Sequence, residues 1–465
     1  MLHGTAVERL KDYFTEHREQ ILDRYLTFLQ LATISADPST TPEMEAATQW
    51  LCRQLESIGL DVEVWETETA GHPILYGEWM GAGPEAPTLL LYNHYDVQPV
   101  DPLVLWRHLP FTPHVDGDGR VFARGAQDNK GQCLYVIEAL RFLLERRELL
   151  NVNLKWIIEG EEEIGSPGLS ALIEARADRL KNDYLLAVDG GLLARRVASI
   201  SLGARGLVAL ELTVRGSKVD LHSGTHGGIA YNPNRALVEM LASLYDAEGR
   251  VAVPGFYDEV QPIDESLRSR LAIHFDEEHY FLQFGGRPIG GEREYSPYER
   301  AWLRPTLEIN GLSGGYSGEG VKTVIPAEAH AKITCRLVAN QEPSQIAEKV
   351  KRHLLEQALP GLEVEVTLYA GSGKAIWTDP NSPLVAAVSQ AFIDLYGAPC
   401  LYMGMGGSIP IIERLAAATG GEPLVIGMGL DEDDIHAPNE HFDLERMCDG
   451  FILLCRMMSY LARTH

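Results

Sequence analysis

Residues 88–92, Thr-Leu-Leu-Leu-Tyr, form a short run almost without polar side chains, which leaves little freedom in the choice of fold. A strand with one wet face alternates apolar and polar residues, whereas a strand covered on both faces is apolar throughout. The run therefore predicts a strand inside a sheet that carries helices on both sides. Its surroundings fit that reading. Residues 6–34 have helical periodicity, 41–58 form a second helix opened by Thr41-Pro42-Glu43, and 61–67 and 74–79 read as strands. Beyond the run come a helix over 129–146, a strand over 153–159, a helix near 167–175 and a strand over 184–188. Strands alternating with helices predict an α/β layer with a mostly parallel sheet.

After Gly203 the texture changes. Residues 207–214, 306–310, 327–338 and 362–368 read as strands, and 233–245 and 344–357 as helices. Their order is β-α-β-β-α-β, the ferredoxin-like arrangement. Residues 254–300, rich in proline, glycine and aromatics, read as an insertion or long loop within it. From Asn381 the first pattern resumes and ends in a helix over 444–462. The expected fold class is thus α/β. A mostly parallel-sheet domain of residues 1–205 and 376–465 is interrupted by an α+β ferredoxin-like domain of residues 206–375.

The 66 acidic and 40 basic residues give a formal charge of −26. Such a surface repels phosphate backbones and anionic lipid, which argues against nucleic-acid and membrane roles. No apolar run reaches the ~18 residues needed to cross a bilayer, and the N-terminal stretch reads as amphipathic rather than as a secretion signal. The six cysteines lack C-x-x-C spacing and read as buried thiols in a reducing compartment, the cytoplasm.

Polar groups collect where the apolar strands end, the usual ligand-binding edge of an open α/β sheet. His94-Tyr95-Asp96 follows the 88–92 run. Asp128 immediately precedes a helix, Glu161-Glu162-Glu163 lies just beyond Trp156-Ile157-Ile158, and Asp189 closes Leu185-Leu186-Ala187-Val188. Far downstream stands His436, in Asp434-Ile435-His436-Ala437-Pro438-Asn439-Glu440. Taken singly, Asp128 reads as a helix N-cap, the three glutamates as a solvated surface and His436 as a loop histidine. Together, acids ending buried strands are costly unless a cation neutralises them. Oxygen and nitrogen donors without cysteine suit zinc, cobalt or manganese, and five donors exceed what one tetrahedral ion needs.

These residues, with His94-Tyr95-Asp96-Val97-Gln98-Pro99, Asp220-Leu221-His222-Ser223-Gly224 and Lys322-Thr323-Val324-Ile325-Pro326, resemble the di-zinc family of carnosine dipeptidases, aminoacylases and acetylornithine or succinyl-diaminopimelate deacylases. The likeness spans nearly the whole chain and is greatest to the dipeptidase branch. It implies two divalent cations, zinc first, with manganese or cobalt as alternatives. His94 and Asp189 would bind one, Glu163 and His436 the other, and Asp128 would bridge them. Glu162 is implied as general base, Asp96 as the group orienting His94, and His222 as a histidine that reaches the scissile carbonyl oxygen across a dimer. Thr323, Arg336, Gly407 and Ser408 correspond to substrate contacts, the last two in a loop receiving the substrate carboxylate. The implied reaction is hydrolysis of a dipeptide or small peptide with a free carboxylate. An N-acyl amino acid is the alternative substrate, and a silent metal- or peptide-binding homologue the alternative of another class. The inserted domain would act as lid and homodimer interface.

The sequence departs from the dipeptidase pattern at Met403-Gly404-Met405-Gly406, where that branch usually has Arg-Glu before Gly-Gly-Ser. Gly311-Leu312-Ser313-Gly314-Gly315 fits G-x-S-x-G, but no helix is expected after it, so it reads as a turn rather than a nucleophile elbow. No H-E-x-x-H occurs, and Gly371-Ser372-Gly373-Lys374 lacks the spacing of a phosphate loop.

Overall fold

The computed structural model describes residues 6–461 apart from 68–70, 148–149, 264, 272–273, 370 and 407–408. The chain divides into two compact units. Met1–Leu202, Thr378–Met403 and Ile411–His465 form one, and Gly203–Trp377 with Gly404–Pro410 form the other. Residues 404–410 thus group with the second unit, although the sequence assigned them to the first.

In the first unit the strands lie in the order Asp61–Trp65, Ile74–Trp79, Asn153–Glu159, Thr88–His94, Tyr184–Val188, Glu422–Ile426 and Ser199–Ala204. From Asn153–Glu159 to Glu422–Ile426 they run parallel, and the flanking pairs are antiparallel. Every residue of Thr88–His94, Asn153–Glu159 and Tyr184–Val188 is buried, as strands with both faces covered require. The helix Lys130–Glu145 packs on Thr88–His94 and Tyr184–Val188, and the helix Leu444–Leu461 packs in turn on Lys130–Glu145 and Pro383–Tyr396. Lys130–Glu145 is buried almost all round because it lies between the sheet and that outer layer.

The expected helix over 6–34 is instead two, Ala6–Glu16 and Arg18–Leu29. They are separated at His17, whose ring stacks on Tyr13 and whose Nδ1 lies 2.8 Å from the Tyr13 carbonyl oxygen. Residues 30–34 leave the helix, and Ile34 forms a bridge to Val97. Of the six thiols, those of Cys133, Cys335 and Cys455 are buried and the others half-buried, and all are unpaired. Among the described residues, no helix is long and apolar enough to cross a membrane.

The second unit has an antiparallel sheet ordered Thr306–Gly314, Glu328–Leu337, Gly206–Arg215 and Glu363–Leu368. Alternate residues such as Val208, Leu210, Leu212, Ile333 and Cys335 enter its core. There they meet Leu237 and Met240 of the helix Pro233–Ala242 and Ile346 and Val350 of the helix Pro343–Glu356. Residues 254–300 are not a plain loop. They hold Glu265–Arg270, Glu277–Phe284 and the start of Pro297–Trp302. Local capping explains the last two, since Asp276 accepts from His279 N and Ser296 forms a capping box with Glu299. The segment 311–315, read as a turn, instead continues the strand Thr306–Gly314, with a register shift between Ile309 and Gly311 that glycine tolerates.

Leu186 is fully buried in the Tyr184–Val188 strand. Leu186→Ala should cost roughly 2–5 kcal/mol through a cavity that a sheet covered on both faces refills poorly. Denaturant titration checks this, and an unchanged midpoint would mean that the strand is not packed as described.

Candidate metal centre

The parallel strands deliver their polar groups at one edge. His94 is the last residue of Thr88–His94, and its imidazole is fully buried. Its Nδ1 lies 3.2 Å from the Asp96 carbonyl oxygen and 3.3 Å from Asp96 Oδ1. Its Nε2 faces Asp128 Oδ1 at 3.1 Å and Asp189 Oδ1 at 3.7 Å. The other oxygen of Asp128 lies 2.9 Å from His436 Nε2, which is also 3.3 Å from Glu163 Oε2. Asp128 therefore stands between two imidazoles, each accompanied by a further acid. Donor atoms of His94, Asp128 and Glu163 all lie within 4.8 Å of one another.

Asp128 is not the N-cap. That position belongs to Asn129, whose side chain makes no capping bond. Its Nδ2 donates instead to Asp189 Oδ1 at 2.7 Å and to the Val188 carbonyl at 2.9 Å. The three glutamates also separate. Glu161 is buried and accepts from His72 N and Gly168 N, which anchors the start of the helix Pro167–Leu180. Glu162 and Glu163 turn towards the imidazoles, and their backbone N–H groups donate to the two oxygens of Asp96 at 3.2 and 3.1 Å. One aspartate thus ties the strand end bearing His94 to the turn bearing both glutamates.

Electrostatics set this cluster apart from a structural ion-pair network. Burial raises the Glu163 carboxyl to about 9, with Asp128 adding like-charge repulsion. Burial likewise pushes the Glu162 carboxyl well up and the Asp189 carboxyl up. The His94 imidazole is driven far above its ordinary range, because the surrounding carboxylates outweigh the effect of burial. His436 is raised chiefly by its bond to Asp128. The protons of the imidazoles thus stand in for missing positive charge. His94 Nε2 and Glu163 Oε1 are buried without a hydrogen bond of acceptable geometry, although the first has two carboxylates near it. A buried imidazole nitrogen and a buried carboxylate oxygen without proper bonding, beside a second imidazole and further carboxylates, fit divalent cations with nitrogen and oxygen ligands.

Glu440 ends the His436 motif without a role that spacing predicts. It is buried and accepts from Arg124 Nη1 (2.9 Å), Gly125 N (2.9 Å), Gln127 N (2.9 Å) and Asp128 N (3.0 Å). It joins the loop of His436 to the loop of Asp128. Three residues of the His436 loop, Asp434, His436 and Asn439, hold left-handed backbone, which non-glycine residues adopt only when their surroundings enforce it. Gln98 was likewise unassigned, and its Nε2 donates to Glu163 Oε2 at 2.8 Å. The available signal was position alone, since both residues lie within four places of a donor.

The remaining expected residues belong to the second unit. His222 is exposed, and its strand Leu221–His222 pairs with Val324–Ile325, so Thr323 lies beside it along the ladder. Its Nδ1 accepts from Gly224 N at 3.0 Å, which leaves Nε2 as the donor of a neutral ring. Arg336 lies on Glu328–Leu337, in a different sheet. Gly407 and Ser408 lie outside the described residues.

The model of Peptidase family M20/M25/M40 matches residues 90–460. The chain belongs to this family. It is 31% identical to the human Beta-Ala-His dipeptidase over 84% of this chain and 78% of that protein. Identity to a Cys-Gly metallodipeptidase of Schizosaccharomyces pombe is 29%, over 98% of each. An M20 family metallo-carboxypeptidase from Sulfolobus solfataricus superposes with a TM-score of 0.83 at 31% identity, covering 95% of this chain and 99% of the other. As an M20 member the chain is a metallopeptidase, and it has an α/β fold.

Glu440→Gln should weaken binding of manganese or zinc by roughly 10–100-fold, the usual effect of removing a group that orients ligands. Competition against a chromogenic chelator measures it, and unchanged affinity would remove Glu440 from the support of the site.

Proposed function

We propose that the enzyme hydrolyses the peptide bond of a dipeptide or small peptide with a free carboxylate, at a centre of two divalent cations, zinc first and manganese or cobalt next. One observation carries the reading: Asp128 offers one oxygen to His94 at 3.1 Å and the other to His436 at 2.9 Å. His94 and Asp189 would hold one cation, Glu163 and His436 the second, and Asp128 both. Such ions, when bound, polarise a carbonyl and make water more acidic. Glu162, turned towards the same cluster, would take the proton of the attacking water and return it to the leaving amine. Asp96 would fix the His94 ring through Nδ1.

His222 would donate from Nε2 to the oxyanion that develops on the scissile carbonyl. Thr323 and Arg336 would contact the substrate, and the loop of Gly407 and Ser408 would receive its carboxylate. The exposure of His222 on the second unit supports its acting within a homodimer built on that unit, which would also serve as the lid. The names of the human and fission-yeast relatives support a dipeptide as substrate. An N-acyl amino acid would need the same bond chemistry, and a panel of dipeptides against N-acetyl and N-succinyl amino acids separates the two. The unpaired cysteines support a reducing compartment, the cytoplasm.

Glu162→Gln should retain metal and lose roughly 10²–10⁴ in turnover. Full activity with metal bound would exclude Glu162 as the base. Mixing that variant with His222→Ala should restore about a quarter of wild-type activity, because half the dimers are hybrid and each hybrid has one intact site. If the mixture stays inactive although hybrid dimers form, His222 does not act across chains. Chelation should abolish activity and lower Tm by roughly 5–10 °C, as loss of a ligand present well above its Kd does. Added zinc or manganese should reverse both effects.

A further inference from the structure

Asn93 is a polar residue in a wholly buried place. It stands between Tyr92 and His94 in the strand Thr88–His94, and its side chain is shut off from solvent. A primary amide buried in this way is costly unless its oxygen and both of its N–H bonds find partners. All three do, and the partners lead to the metal centre.

The parallel register sets Leu91 opposite Trp156, so Asn93, two residues on, projects from the same face of the sheet as the Trp156 indole. Trp156 Nε1 donates to Asn93 Oδ1 at 3.2 Å. Asn93 Nδ2 donates to Asn129 Oδ1 at 2.6 Å and to the Val188 carbonyl at 2.8 Å. Asn129 Nδ2 in turn donates to that same carbonyl at 2.9 Å and to Asp189 Oδ1 at 2.7 Å. Trp156 and both asparagines are buried. The chain of bonds therefore runs Trp156, Asn93, Asn129, Asp189, and it crosses three strands of the sheet within the first unit.

Its direction follows from the indole. An indole N–H can only donate, so the amide oxygen of Asn93 must face it. The Asn93 nitrogen is then left to face Asn129, which has to present its oxygen there, and the Asn129 nitrogen is left for the carboxylate. Turning either amide over would set like groups against each other at both of its ends. Both hydrogens of each amide nitrogen are used, with the Val188 carbonyl as the shared second acceptor. A fully satisfied buried network of this kind has one arrangement.

The chain ends on a carboxylate of the metal centre. Asp189 Oδ1 lies 3.7 Å from His94 Nε2, the buried nitrogen that has no hydrogen bond of acceptable geometry. His94 directly follows Asn93 in the sequence. One stretch of strand thus delivers the imidazole itself and, through Asn129, controls the acid that faces it.

We propose that Asn93 is a positioning residue for the metal centre: with Trp156 behind it and Asn129 ahead, it locks the Asp189 carboxylate in the orientation in which it shares a cation with His94. The proposal rests on the reading of His94 and Asp189 as ligands of one cation. Ligands fixed beforehand bind a metal more tightly, because binding then has no rotamer freedom to remove.

The test is a cobalt(II) titration of the full-length, metal-stripped protein, followed by visible absorption, which reports coordination geometry. Asn93→Leu, of similar size and without hydrogen-bonding groups, should weaken binding of one cobalt equivalent by roughly tenfold and change its spectrum. Trp156→Phe, which keeps an aromatic ring and removes the N–H, should weaken the same equivalent by roughly two- to fivefold. Adding Trp156→Phe to Asn93→Leu should weaken it no further, because the link that transmits the effect is already broken, whereas independent effects would multiply. Leu89→Ala opens a cavity in the same strand and serves as the control for a general loosening. It should lower Tm and leave cobalt affinity within about twofold of wild type.

Unchanged affinity and spectrum in Asn93→Leu, multiplying effects in the double variant, or an equal loss in Leu89→Ala would overturn the proposal. Should Asn93→Leu fail to fold, Trp156→Phe set against Leu89→Ala decides: reduced affinity in the first alone upholds the chain, and equal affinities overturn it. A wild type that binds no cobalt would remove the metal-centre reading and this proposal together. Cobalt bound by the wild type and untouched by these changes would remove the proposal alone.

Discussion

Carboxylates held close together away from water repel one another, and the first unit is organised around that repulsion. Asp128, Glu162, Glu163 and Asp189 meet at the edge of one sheet, where burial and their mutual charge press the glutamate carboxyls towards the protonated form. Two imidazoles drawn up in basicity supply part of the missing positive charge. Divalent cations would supply the rest and would also use His94 Nε2 and Glu163 Oε1, which have no other good partner. Replacing such a cluster with an apolar one would usually stabilise a fold, so its retention has to be understood through chemistry.

Holding these groups apart yet close enough requires rigidity from several directions. The parallel strands fix His94 and Asp189, since every residue of Thr88–His94 and Tyr184–Val188 is buried. The glutamate turn is pinned by Asp96, which accepts both of its backbone N–H groups. Glu440 performs the same service for the two loops, because its carboxylate accepts from the backbone N–H groups of Gly125, Gln127 and Asp128 and from Arg124 Nη1. Left-handed residues around His436 are tolerated because that clamp leaves the loop few alternatives. Metal chemistry in this chain thus depends on acids that would never touch the metal.

The second unit reads differently in electrostatic terms. Its sheet separates an apolar helical side from a polar side, and the helices within 254–300 convert the polar side into a walled cavity.

Much of this was legible in the sequence, because the features that show there are periodic or local. Apolar runs marked the central strands, the β-α-β-β-α-β order marked the second sheet, and motifs in order gave the family and the candidate donors. What failed was set by contacts distant in the chain or by short-range capping. His17 divides a continuous helical pattern, capping residues create helices in 254–300, and Gly311–Gly314 extends a strand instead of turning. Glu440 could not be singled out either, since a carboxylate becomes a clamp only when four donors from residues 124–128 arrive around it. Sequence alone determined which residue types end which strands, because hydrophobic patterning is written along the chain. Only tertiary structure decided which acids meet, which are neutralised and which remain charged, because Coulomb energy and desolvation depend on distances and burial that no linear spacing contains.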